Sequence, residues 1–62
     1  MNKPVVKLVG EDGNAFAILG KVSRALRKEG NSQEVVDRFM KEATSGDYDH
    51  LLRVCMDYAD IE

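Results

Sequence analysis

The chain has one cysteine, one proline and no tryptophan among its 62 residues, and only two tyrosines and two phenylalanines. A single cysteine excludes an internal disulfide framework and a zinc site built from several thiolates. The longest unbroken apolar run is Ala15 to Leu19. That is far short of the roughly 20 residues that cross a bilayer, so no membrane association is expected. The opening Met1-Asn2-Lys3-Pro4 has no apolar signal-peptide segment, and a cytoplasmic location is the expectation. A large charge of one sign is missing too. Nine Lys and Arg against eleven Asp and Glu leave a net charge of -2, so the whole chain is not a polybasic binder. The composition, 44% hydrophobic and 32% charged, lacks the low-hydrophobicity, high-charge balance of disordered chains. What remains is one small globular domain over residues 1–62 with a thin core, since a chain this short buries only about 60% of the surface its unfolded form exposes.

The charge that is present is unevenly spread. Residues 1–30 carry six basic and three acidic groups, net +3; residues 31–62 carry three basic and eight acidic groups, net -5. Such a chain can present one basic and one acidic surface.

Pro4 to Val9 reads as a strand, being β-branched and closed by Gly10. Pro4 suits a first strand position, where its missing N–H costs least. Gly10-Glu11-Asp12-Gly13-Asn14 reads as a turn. Helix one is predicted from a cap at Asn14 to about Glu29, with Gly30 as the residue that ends it. Ala15, Ile18, Leu19, Val22, Ala25 and Leu26 form its apolar stripe; Phe16 lies just beyond one edge, and Gly20 faces away. Helix two starts at Asn31 or Ser32 and carries Val35, Val36, Phe39, Met40 and Ala43 on one face. Asn31 followed by Glu34 resembles a capping box. Helix three is capped by Asp47, with Tyr48, Leu51, Leu52, Cys55, Tyr58 and Ala59 on one face and Val54 and Met56 widening it. From Tyr58 onward the chain reads equally as helix end or short strand. A lone strand leaves backbone groups unsatisfied. Residues 58–61 or the same strand of a second chain would therefore have to pair with it. The fold class is mainly α with a small β element (α+β), in the order β-α-α-α with an optional C-terminal strand. The expected core is Val6, Leu8, Ile18, Leu19, Val22, Leu26, Val36, Phe39, Met40, Leu51, Leu52 and Cys55.

No constellation points to catalysis. The glycine loop fits neither a Walker A sequence nor a dinucleotide fingerprint, and Glu11 and Asp12 would repel a phosphate. His50 and Cys55 are five residues apart, about 140° round a helix, so they do not form a base–nucleophile pair. Cys55 reads as a small buried hydrophobe, and His50 as a surface residue beside Arg53 and Asp57. Asp47 and Asp49 fall short of a calcium loop. No catalytic, cofactor-binding or metal-binding residue is expected, and no enzyme.

Two stretches carry a resemblance: Val9-Gly-Glu-Asp-Gly-Asn-Ala-Phe-Ala-Ile-Leu-Gly-Lys-Val22 and Glu42-Ala-Thr-Ser-Gly-Asp-Tyr-Asp-His-Leu-Leu-Arg53. Together they resemble small uncharacterised proteins of bacterial genomes and their mobile elements, including prophages. The resemblance implies a bacterial or phage protein and carries no functional residue with it.

The expected function is a small non-catalytic interaction or accessory domain whose partner is a second copy of itself, as a homodimer, or another protein. Val5, Lys7, Val9, Val54, Met56 and Tyr58 are the candidate interface. The alternative is nucleic-acid binding through helix one, with Lys21, Arg24, Arg27 and Lys28 as phosphate contacts. No aromatic residue interleaves with those cations, which disfavours single-strand binding.

Overall fold

The structure, a computed structural model, describes residues 2–8 and 13–62. Its elements are β1 (Val5–Val6), α1 (Ala15–Lys28), α2 (Gln33–Ala43), α3 (Tyr48–Tyr58) and β2 (Asp60–Ile61). This is the expected β-α-α-α order with the last strand present. Among the described residues, no helix is long and apolar enough to cross a membrane.

Each helix begins where a short polar side chain replaces the missing intrahelical acceptor. The Asn14 side chain accepts from the Phe16 amide, that of Ser32 from Val35 and that of Asp47 from His50. Ser32 rather than Asn31 caps α2. Asn31 is used elsewhere: its side chain donates to the carbonyls of Asn2 and Leu26 and accepts from the Asn2 amide. This ties the N-terminal segment to the α1–α2 turn. The turn itself reverses at Gly30, whose φ of 89° is the left-handed conformation that glycine adopts without a Cβ penalty.

The strand expected over residues 4–9 is shorter than that, and it finds its partner inside the chain. β1 and β2 pair in parallel, with Val5 opposite Asp60 and Val6 opposite Ile61. The Asp60 amide donates to the Pro4 carbonyl at 2.8 Å, Glu62 to Val6 at 2.9 Å and Leu8 to Glu62 at 2.9 Å. The alternation leaves the backbone groups of Val5 and Lys7 on the opposite edge. Val9 and most of the turn after it lie outside the described residues. An exposed Lys3–Asp60 ion pair at 3.6 Å crosses the sheet and contributes little.

The three helices pack around Phe39, Leu26, Val22, Val36 and Cys55, the largest fully buried side chains. Phe39 meets Tyr58 edge-on, with ring centroids 5.3 Å apart and planes at 63°, a favoured aromatic arrangement. Three expectations are corrected. Met40 is 37% exposed rather than core. Val54 and Tyr58, expected at an interface, are only 5% and 6% exposed. The reason is that α3 touches α1, α2 and β2 at once, so its covered arc is wider than its apolar stripe suggests.

Candidate functional site

Shallow apolar depressions mark the surface formed by the described residues, and two of them stand out. The first, about 250 Å³, lies where the start of α1 meets the α2–α3 turn, and Phe16, Leu19, Ala43, Asp47, Tyr48 and Leu51 line it. The second, about 190 Å³, is lined by Leu8, Leu52, Cys55, Met56 and Ile61 beside the sheet. Both are smaller than the roughly 300–1,000 Å³ typical of small-molecule sites. Among the described residues, no three His, Cys, Asp or Glu side chains are placed to share a metal ion.

The first depression opens onto a continuous seam. At about 100° per residue, Phe16, Gly20, Ser23 and Arg27 fall on one line along the flank of α1. The Ser23 hydroxyl donates to Met40 Sδ at 3.3 Å, which sets the part-exposed Met40 beside that line. At the other end, the Tyr48 hydroxyl donates to the Gly13 carbonyl at 2.6 Å, which sets the start of α3 level with the start of α1. The seam therefore runs from Asp47 and Tyr48, past Phe16, Gly20 and Met40, to Arg27. Phe16 is 83% exposed. A Cβ built on Gly20 would meet no atom within 4 Å, so α1 presents bare backbone there.

The expected interface residues divide. Val5, Lys7 and Met56 are exposed, Val54 and Tyr58 belong to the core, and Val9 lies outside the described residues. Arg24, Arg27 and Lys28 are exposed and Lys21 is part-buried. Among the described residues, Arg24, Arg27 and Lys28 have no carboxylate in ion-pair contact.

No family model, curated protein or solved structure matches the chain.

His50 is not the free surface residue expected beside Arg53 and Asp57. Its Nε2 lies 2.8 Å from the Glu42 carbonyl and 3.1 Å from the Ser45 hydroxyl. A carbonyl only accepts, so Nε2 carries the proton in that bond. Ser45 donates to the same carbonyl at 2.7 Å, and together they satisfy the open end of α2. Gly46 makes room for the ring, since a Cβ there would lie 2.8 Å from His50 Cγ.

Among the described residues, the two groups with shifted acidity are both in the core. Burial pushes the Cys55 thiol above its ordinary 9.0. Burial, and then the neighbouring Glu42 carboxylate, pushes the Tyr58 phenol above its ordinary 10.0. Two predictions follow from this burial. A thiol reagent should label native Cys55 slowly and the denatured chain fast; fast labelling of the native protein would contradict a buried, structural thiol. The second concerns alkaline pH. Above pH 9.0 the unfolded chain releases these protons before the folded one does, so it binds fewer protons and stability falls as pH rises. Below that value the contribution is fully present. Denaturant midpoints should therefore drop between neutral pH and pH above 10.0, and Tyr58→Phe should flatten part of the fall. A flat or rising profile would contradict it.

Proposed function

We propose that the protein is a small non-catalytic interaction module that associates with itself. The observation that carries this reading is Phe16, a large apolar side chain left 83% exposed on a chain too short to bury much surface alone. Large exposed apolar groups gathered in one patch mark association surfaces. β1 already pairs with β2, so the reading no longer depends on a strand seeking a partner. Sedimentation equilibrium into the high micromolar range tests it. A species of twice the 6.9 kDa of one chain is expected; a chain that stays at 6.9 kDa overturns it.

A second reading, nucleic-acid binding through α1, is favoured only by the unpaired Arg24, Arg27 and Lys28. With Lys21 they would release about four counterions and give a slope of about -3.6 in log K against log salt. That supports weak, non-specific contact at most. A titration at about 150 mM salt should show no sequence-dependent binding, and sub-micromolar specific binding would favour this reading instead.

A further inference from the structure

We propose that the seam between α1 and α2 is where two copies meet, with α1 antiparallel to its twin and crossing it at Gly20. The inference rests on the self-association reading and names the surface that performs it. A two-fold axis through Gly20 places each position on one side of it against the matching position on the other side in the partner. The rise of about 1.5 Å per residue sets Phe16 about 6 Å to one side of Gly20. Ser23, with Met40 beside it, stands about 4.5 Å to the other. The axis therefore lays the exposed ring of Phe16 on the part-exposed Met40 of the second copy, twice. Sulfur–aromatic contacts of this kind are favourable.

The same axis pairs the ends of the seam. Gly13 and Arg27 are each seven residues from Gly20, and the Tyr48–Gly13 bond holds Asp47 and Tyr48 level with Gly13. Arg27 of one copy thus comes opposite the exposed Asp47 and the ring of Tyr48 in the other. A guanidinium suits both, as an ion pair and as a cation over an aromatic face. One axis generates an apolar match and a charge match together, which is why the occupant is a second copy rather than an unrelated chain. Gly20 permits the crossing, because no side chain there holds the backbones apart. An interface of standard size takes about 800 Å² per partner, roughly a fifth of the 4119 Å² this chain exposes.

The test combines sedimentation with cysteine cross-linking on the full chain. Phe16→Ser should weaken dimerisation by about tenfold or more, with an unchanged far-ultraviolet spectrum because the ring is exposed in the single chain. Gly20→Cys should form a covalent dimer rapidly under oxidised glutathione, since the axis brings the two substituted positions together. Lys7→Cys, exposed just after β1, should not. A dimer that survives Phe16→Ser and cross-links through Lys7→Cys instead would overturn the seam and leave self-association standing. A wild-type chain that is monomeric throughout would overturn both.

Discussion

Replacing Phe39 with alanine should leave a large fraction of the molecules unfolded without denaturant. Phe39 is fully buried and meets Tyr58 edge-on, which joins α2 to the end of α3. Truncating a core phenylalanine to alanine costs about 3–5 kcal/mol, in lost transfer energy and in the cavity left behind. A core of this size supplies about 3–5 kcal/mol in total. The two figures are comparable, so the folded and unfolded populations should move from strongly folded to mixed or mostly unfolded. Far-ultraviolet circular dichroism with a urea titration reads this directly. Phe39→Leu, which keeps most of the volume, should stay folded. A cooperative Phe39→Ala transition close to the wild-type midpoint would show that the core is not centred where α2 meets α3.

The second large effect is expected from deleting residues 60–62. These residues supply three bonds to Pro4, Val6 and Leu8 beyond the ladder of the paired strands itself, and Ile61 packs against the core cluster beside Leu8. Three bonds at about 0.5–1.5 kcal/mol each sum to about 1.5–4.5 kcal/mol before any loss of apolar contact. Val6, buried beneath the sheet, would lose its strand partner and become exposed. The shortened chain should melt well below the full one and lose the protection of its β1 amides in hydrogen exchange. An unchanged melting curve would mean that the helices are stable without the sheet.

Local signals in the sequence were sufficient for local structure. Asn14 and Asp47 cap the helices they precede, Gly30 ends α1 in the left-handed conformation, and the β-branched Val5-Val6 pair forms a strand after Pro4. What failed depended on neighbours distant in the chain. Asn31 has the chemistry of a cap, but the N-terminal segment, from 29 residues away, takes its side chain. Helical periodicity orders the residues of α3 around its axis without saying how many neighbours cover it: it sets Tyr58 on the apolar face, but not that Val54 at the margin and Tyr58 are both covered too fully to serve an interface. Met40 was placed too far inward for the same reason. The seam was half legible: Phe16 fell at the edge of the apolar stripe and Gly20 faced away from it. Aligning them with Met40, Tyr48 and Asp47 required the packing of α1 against its neighbours, which periodicity does not encode.

The parallel sheet also sets an order of assembly. Val5 pairs with Asp60, so 60 minus 5, or 55, residues separate the partners. Most of the helix contacts, by contrast, join consecutive elements across short turns. Non-local pairing of this kind forms after local structure has shortened the effective loop. During synthesis β1 is made before its hydrogen-bonding partner, and three helices are made between them. Pro4 and Val6 emerge without acceptors or donors across from them until three helices have followed. The strand is therefore a latch that the finished helical cluster closes.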